Sequence, residues 1–251
     1  MQESSHLLGS PWKEHLETAV RAARDAGRIQ LEAFDKPHTV DFKGETNLVT
    51  EVDRACEEAI FGLLRDAFPS HDFLLEESVT PRTDSPFLWV VDPLDGTTNY
   101  THNYPHFCCS IALQLEGSTV LGVVYDPVRG DLFTTLAGSG AFLNGRRIRT
   151  SDEDQLIRCL VATGFPNEIR TARDKNLRKF AKILLLVRSV RRSGSAALDL
   201  CYLAAGRLDG YWVLTLCPWD QAAGILMVEE AGGRVTDPDG RPTHLHSKAL
   251  V

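Results

Sequence analysis

Two carboxylates stand three positions apart in the stretch from Trp89 to Asn99, which reads WVVDPLDGTTN. An apolar run of strand-like composition leads into it. Because Pro93 cannot donate to a sheet ladder, we expect Asp92 at the carboxyl end of a buried strand. Asp95 would follow in the turn, where Gly96 permits close approach of backbone N–H groups to an anion. The stretch therefore predicts adjacent metal and anion sites, and a strand end with an Asx turn and a helix cap is the alternative.

Two further acids stand at the ends of predicted elements. Glu76 follows a short apolar strand from Phe73 to Leu75, and Asp220 lies between a strand from Gly210 to Leu216 and the last helix. Each acid alone is more often a solvated loop residue or a helix N-cap. Together with the first two, they form a set of carboxylates with no partnering His or Cys cluster, and this composition indicates magnesium rather than zinc.

Asp53 has two interpretations. It stands three positions after Thr50, at the start of an apolar helical pattern from Val52 to Phe68, which is the spacing of a capping box. The helix dipole also stabilises an acid in the first turn. From spacing alone, a capping role is therefore the preferred interpretation.

The remaining pattern indicates helices and sheets in layers. Apolar spacing predicts helices over Glu17 to Phe34 and Val52 to Phe68, with a polar loop from His38 to Asn47 between them. Short apolar segments separated by turn residues predict an antiparallel meander from Ser110 to Ile148. Later helices are predicted over Lys175 to Leu186, Ser195 to Ala205, and Asp220 to about Ala231.

Composition limits the classes of function. The 251 residues are 43% hydrophobic and carry a formal charge of -7, which gives no basic surface for nucleic acid or an anionic membrane. The six cysteines show no C-x-x-C pair and lie in apolar surroundings, so we expect core thiols in a reducing compartment. With no apolar run of membrane-spanning length, a cytoplasmic protein is expected.

Several hydrolytic mechanisms lack their motifs in this chain. There is no G-x-x-x-x-G-K-[ST] loop for a P-loop ATPase and no Asp-x-Asp pair after a strand for an aspartyl-nucleophile phosphatase. The G-x-S-x-G elbow and the H-E-x-x-H helix are also absent from the sequence.

The chain resembles the inositol monophosphatase family of Mg²⁺-dependent, lithium-sensitive phosphatases. The matching stretches, in the family's order, are Asn47 to Asp53, Glu76 to Ser78, Asp92 to Asn99, and Trp219 to Gly224 with Glu229 to Gly233. The resemblance implies an α/β fold, a layered αβαβα sandwich shared with fructose-1,6-bisphosphatase. It also implies one domain over residues 1–251, with halves at about 1–150 and 151–251. The family usually continues beyond the position of Val251, through a further strand and helix.

The resemblance assigns roles to matching positions, with two or three Mg²⁺ ions per subunit. It implies that Glu76, Asp92 and the Leu94 carbonyl hold one ion, and that Asp92, Asp95 and Asp220 hold a second. It moves Asp53 into the catalytic set, where Asp53, Thr97 and Glu76 would orient and deprotonate the attacking water. The phosphate and substrate contacts implied are Asp95, Gly96, Thr97, Gly194, Ser195, Ala196 and Asp220.

The substrate pocket departs from the family pattern. Seven residues before Asp220 the family has an acid that accepts hydrogen bonds from substrate hydroxyls, and here that position is Val213. Valine cannot accept, so we expect weak or broad use of polyol phosphates. Lys43 is a candidate mobile basic residue near the metals, and Arg191 is a candidate for a second phosphate or a solvated face.

We expect a Mg²⁺-dependent phosphomonoesterase acting on a small phosphorylated metabolite of the inositol 1-phosphate type. The alternatives are the related activities of fructose-1,6-bisphosphatase, histidinol phosphatase or nucleotide phosphatase, and a non-catalytic binding protein built on the fold. The resemblance further implies a homodimer, with neither nucleic acid nor a membrane as partner.

Overall fold

The first and last regular elements that the structure describes are helices, and a run of strands occupies the middle of the chain. The computed structural model describes residues 11–43, 47–165 and 175–251, without the side chains of residues 40, 42, 43, 47, 175 and 176. The helices in these ranges are α1 (Lys13–Ala33), α2 (Glu51–Ala67), α3 (Thr97–Thr101), α4 (Lys175–Leu184), α5 (Ala196–Ala204) and α6 (Pro218–Glu230). The strands are β1 (Val40–Lys43), β2 (Asn47–Thr50), β3 (Asp72–Leu75), β4 (Phe87–Asp95), β5 (Cys108–Leu115), β6 (Ser118–Asp126), β7 (Asp131–Leu136), β8 (Gly140–Leu143), β9 (Arg146–Ile148), β10 (Leu160–Thr163), β11 (Ser189–Arg191) and β12 (Gly210–Trp212).

The larger sheet has seven strands in the order β3-β4-β5-β6-β7-β8-β9. β3 runs parallel to β4, and every later neighbour is antiparallel. Glu116 and Gly117 turn β5 into β6 with positive φ at both residues, and Asn144 and Gly145 do the same between β8 and β9. Such turns match the twist of paired strands. The predicted antiparallel meander is confirmed.

Both faces of the larger sheet are covered by helices. α1 and α2 pack on one face, where the small residues Ala19, Ala22, Ala23 and Ala26 allow close contact with the buried side chains of β4 and β5. α5 and α6 pack on the opposite face and also contact the second sheet, whose parallel strands have the order β11-β10-β12. α4 covers the outer side of that sheet through Phe180 and Ile183.

These contacts give the layer order helix, sheet, helix, sheet, helix. The predicted layered α/β fold is therefore confirmed. Among the residues that the structure describes, no helix is long and apolar enough to cross a membrane.

Three local predictions are wrong. The segment predicted as a loop from His38 to Asn47 contributes to a short antiparallel pair, in which β1 pairs with β2 from Val40 opposite Thr50 to Lys43 opposite Asn47. The strand predicted from Gly210 to Leu216 ends at Trp212, where the backbone turns away from β10. Cys217 is exposed, unlike the other five thiols, because it precedes α6 at the N-cap position.

Candidate functional site

β4 carries the first two acids, and it continues past Pro93. Asp92 pairs with Ser110 and Asp95 pairs with Cys108, with a register shift between the two pairs. The missing N–H of Pro93 falls within this irregularity, and the Pro93 carbonyl oxygen accepts a hydrogen bond from Gln30 Nε2 at 2.8 Å. The expectation that the ladder stops at Asp92 is therefore wrong, because a bulge absorbs the proline.

Asp92 is the acid whose ionised form is most strongly disfavoured by its surroundings. It is 2% exposed, and its Oδ1 accepts the Leu94 N–H at 3.0 Å. Burial raises the pKa of Asp92 well above its ordinary value, and the neighbouring carboxylates of Glu76, Asp95 and Asp220 raise that pKa further. The structure thus brings the four predicted acids together around Asp92.

Glu76 lies close enough to Asp92 for its charge to raise the pKa of Asp92. Two neighbouring carboxyl groups repel each other when both are ionised. A bound cation would neutralise that charge, so this pair is the most direct chemical indication of a cation site.

Asp95 is held by the start of α5. Its Oδ2 accepts the Ser195 hydroxyl at 2.6 Å and the Ala197 N–H at 2.7 Å. Burial raises the pKa of Asp95, while these donors and the Ala196 N–H lower it. Ser195 and Ala196, which were predicted as substrate contacts, therefore donate hydrogen bonds to Asp95.

Asp220 stands in the first turn of α6. Its Oδ2 accepts the Cys217 N–H at 2.7 Å, which completes a capping box. Burial and the charge of Asp95 raise the pKa of Asp220 to about 7. The N-cap interpretation of Asp220 is therefore wrong, because Cys217 holds the N-cap position and Asp220 is the third residue of the helix, with one oxygen bonded to the N-cap N–H.

The donor set fits a hard cation such as Mg²⁺, which prefers oxygen ligands. Within the described ranges, however, no group of three or more His, Cys, Asp or Glu side chains stands in a geometry that would hold a metal ion as it is. The fit to Mg²⁺ is thus one of donor chemistry.

Asp53 combines its two predicted roles. Its Oδ2 accepts the Thr50 N–H at 2.8 Å and the Thr50 hydroxyl at 2.5 Å, so the capping box of α2 is present. Its Oδ1 accepts the Thr97 hydroxyl at 3.0 Å. Burial raises the pKa of Asp53, and the hydrogen bonds from Thr50 and Thr97 lower it. The capping box fixes the Asp53 carboxylate, and its Oδ1 links α2 to Thr97, a candidate phosphate-binding residue.

Gly96 makes the turn between Asp95 and α3. Its φ is +107°, and a Cβ placed on it would lie 3.0 Å from the His106 carbonyl oxygen and 3.3 Å from Phe107 Cα. A residue with a Cβ would therefore be strained at this position, and glycine is not. Thr97 follows, and its hydroxyl also lies 3.1 Å from the Leu94 carbonyl oxygen.

A turn from Ser193 to Ser195 closes the site next to α5. Asn99 Nδ2 donates to the Ser193 carbonyl oxygen at 2.9 Å, and the Ser193 hydroxyl donates to Asp199 Oδ1 at 2.6 Å. Gly194 has φ +93°, and a Cβ there would lie 2.9 Å from the Asn99 amide. Asn99 and Asp199 thus fix the turn that presents Ser195 to Asp95.

The three lesser candidates are Lys43, Arg191 and Val213. Lys43 ends β1, and its side chain lies outside the described residues. Arg191 is exposed and donates to Ser189 Oγ at 2.8 Å. Val213 is 2% exposed, and its backbone pairs with Leu250.

Three residues that contact this site were missed in the sequence. Glu57 lies one turn after Asp53 on α2, and the spacing of four is the signal that would have indicated a shared helix face. Asn99 and Asp199 act through contacts between segments far apart in the chain. No local spacing indicates such contacts.

Comparison with known proteins identifies the family of this chain. A model of the Inositol monophosphatase family matches residues 12–251. Inositol monophosphatase 2 of Solanum lycopersicum is 47% identical over 251 residues, covering 95% of this chain and 93% of the relative. Nus factor SuhB of Escherichia coli (strain K12) is 45% identical over 239 residues, covering 94% of this chain and 90% of the relative.

Solved structures agree with this assignment. The extragenic suppressor protein suhB from Bartonella henselae superposes with a TM-score of 0.91 at 43% identity, covering 95% of this chain and 93% of that one. Inositol monophosphatase from Anabaena superposes with a TM-score of 0.88 at 40% identity, covering 96% and 90%. The chain therefore belongs to the inositol monophosphatase family of phosphoric monoester hydrolases.

Proposed function

We propose that this protein is a Mg²⁺-dependent phosphomonoesterase that hydrolyses a small phosphorylated metabolite. The observation that carries the proposal is the convergence of acids on the buried Asp92, whose pKa is raised by burial and by the charges of Glu76, Asp95 and Asp220. Such a concentration of like charge around a buried carboxylate is costly unless a cation neutralises it. A purely structural role would not favour four such acids at one place.

The acids divide into two proposed sets of ligands. Glu76, Asp92 and the Leu94 carbonyl would hold one ion, and Asp92, Asp95 and Asp220 would hold a second, with Asp92 shared. Bound Mg²⁺ supplies neutralisation of phosphate oxygens and a water of lowered pKa. Asp95 is oriented for its role by Ser195 and the start of α5.

The attacking water is assigned to Thr97, Asp53 and Glu76. Asp53 is fixed by the cap of α2, and it accepts the Thr97 hydroxyl. Thr97 therefore keeps its oxygen free to accept a hydrogen bond from water, while Glu76 would take the proton. Gly96 leaves the N–H groups at the start of α3 accessible to a phosphate oxygen.

The substrate class rests on Val213. An acid at this position would accept hydrogen bonds from the hydroxyl groups of a polyol, whereas Val213 has no acceptor and is 2% exposed. We therefore propose weak or broad activity towards inositol 1-phosphate and other polyol phosphates. Sugar bisphosphates, histidinol phosphate and nucleotides are the alternative substrates.

A homodimer in the cytoplasm is the proposed assembly and compartment. Leu156, Ile157 and the run from Leu184 to Leu186 are exposed, with Leu185 at 83%, and such apolar surface favours burial against a second chain. The free thiols fit a reducing compartment. Size-exclusion chromatography with light scattering would measure twice the chain mass, and a monomer at micromolar concentration would contradict the assembly.

A panel of phosphorylated metabolites assayed with Mg²⁺, with and without lithium, tests the activity. We expect phosphate release that requires Mg²⁺ and is inhibited by lithium, with no strong preference for inositol 1-phosphate over glycerol 2-phosphate. No release from any compound would favour the non-catalytic alternative. A marked preference for inositol 1-phosphate would refute the interpretation of Val213.

A further inference from the structure

Glu57 is a buried acid outside the proposed ligand set. It lies on α2, four residues after Asp53, and it is 4% exposed. Residues four apart lie on one face of a helix, with a rise of about 6 Å between them. Asp53 and Glu57 therefore face the larger sheet together.

The Glu57 carboxylate has two donors at the end of β3. Oε2 accepts the Glu77 N–H at 2.8 Å, and Oε1 accepts the Ser78 hydroxyl in a short hydrogen bond. Both donors belong to the segment that directly follows Glu76. Hydrogen bonds to a charged acceptor are stronger and more directional than neutral ones, so this contact restricts the backbone next to Glu76.

The same helix face thus contacts both sides of the proposed water site. Asp53 accepts the Thr97 hydroxyl, and one turn later Glu57 holds the residues after Glu76. α2 is a single rigid element with a capped start, so the distance between these two contacts is fixed by helix geometry.

We infer that Glu57 is a positioning residue that sets the location of Glu76 relative to the Asp53 and Thr97 pair. The inference rests on the proposed function, because Glu76 is there both a metal ligand and the water base. Glu57 itself touches neither substrate nor metal in this account. Its effect is exerted through the backbone of Glu77 and the hydroxyl of Ser78.

The test compares Glu57→Gln with Glu58→Gln. Both variants remove one carboxylate from α2, but Glu58 is exposed on the other side of the helix. Mg²⁺ binding to the metal-free protein is measured by titration calorimetry, and phosphate release is measured as a function of Mg²⁺ concentration. We expect Glu57→Gln to bind Mg²⁺ about 10-fold more weakly or worse. Glu58→Gln should match the wild type.

A merely structural Glu57 would lower the melting temperature without altering Mg²⁺ affinity, which is the distinction that calorimetry makes. Ser78→Ala removes one of the two donors and provides a milder variant if Glu57→Gln does not fold. We expect it to weaken Mg²⁺ binding in the same direction, and Glu57→Asp to restore part of the loss.

The outcomes separate this inference from the proposed function. If the wild type binds Mg²⁺ and releases phosphate while Glu57→Gln and Ser78→Ala bind as tightly as the wild type, the positioning role is wrong and the proposed function stands. If the wild type neither binds Mg²⁺ nor releases phosphate, the proposed function fails and the inference fails with it.

Discussion

Replacing Gly96 with alanine tests the turn that presents Thr97. The residue has φ +107°, and an added Cβ would lie 3.0 Å from the His106 carbonyl oxygen and 3.3 Å from Phe107 Cα. Positive φ costs a residue with a Cβ about 1–2 kcal/mol. The contacts are with backbone atoms of the segment just before β5, which cannot rotate away as a side chain can, so overpacking adds about 1–3 kcal/mol.

Gly117→Ala is the matched control. Gly117 has φ +82°, but nothing lies within 4 Å of the position that its Cβ would take. It therefore carries the conformational cost of about 1–2 kcal/mol without the steric cost. The difference between the two variants isolates the close packing around Gly96.

Urea denaturation measures the free energy of unfolding of both variants, and phosphate release measures their activity. We expect Gly96→Ala to lose about 2–5 kcal/mol and most of its activity. Gly117→Ala should lose about 1–2 kcal/mol and keep its activity. Equal stability losses and equal activity in the two variants would refute the account of this turn.

Three further variants test the site and its surroundings. Thr97→Val removes the hydroxyl that donates to Asp53, which should slow phosphate release by about 10²-fold or more at saturating Mg²⁺. Asp220→Asn should abolish activity yet stabilise the metal-free protein by about 2–4 kcal/mol at pH 8, measured by urea denaturation, because burial raises the pKa of Asp220 to about 7. His71→Gln should flatten the pH dependence of stability below pH 6.5, which urea denaturation between pH 4 and 8 would measure. Burial lowers the pKa of His71 to about 4, and its neutral ring accepts the Trp89 N–H at 3.1 Å.

The direction of each pH effect follows from linkage. The folded state holds a proton on Asp220 more tightly than the unfolded chain does, so this contribution to stability grows as the pH falls from about 7 towards 4. For His71 the folded pKa is the lower one, so its contribution is complete above pH 6.5 and is lost as the pH falls towards 4. The His71 ring is partly exposed, and screening reduces its contribution to about 1–2 kcal/mol.

Exposed residues of the same types provide the controls. Asp154→Asn and His102→Gln should leave stability and its pH dependence at wild-type values, since both side chains are exposed. A metal-free Asp220→Asn protein that is less stable than the wild type at pH 8 would contradict the mutual repulsion of the acids. Wild-type activity in Thr97→Val would remove Thr97 from the catalytic set.

Much of the candidate site could be predicted from local sequence. The placement of Asp92, Asp95 and Gly96 after an apolar run indicated a special turn at a strand end, and the structure has a glycine-specific turn there. The capping box of Asp53 was predicted from spacing, and its contact with Thr97 became an expectation through the family resemblance alone. Short-range patterns report helix caps and turns well because these depend on neighbouring residues.

Contacts between distant segments were not predictable in this way. Pro93 was expected to end the ladder, but a bulge and the Gln30 side chain accommodate it. Glu57 contacts residues about twenty positions later, and Asn99 contacts the turn before α5. Such contacts exist only once the sheet has brought the segments together, so no local spacing reveals them.

The most direct test of the central claim is the effect of Mg²⁺ on the wild type and on Asp92→Asn, measured as both melting temperature and phosphate release. We predict that Mg²⁺ raises the melting temperature of the wild type and is required for its activity. Asp92→Asn should show neither effect, although its metal-free form melts at a higher temperature than the metal-free wild type. Full activity of the wild type in excess chelator, or Mg²⁺-dependent activity retained by Asp92→Asn, would contradict the assignment of these acids as a metal centre.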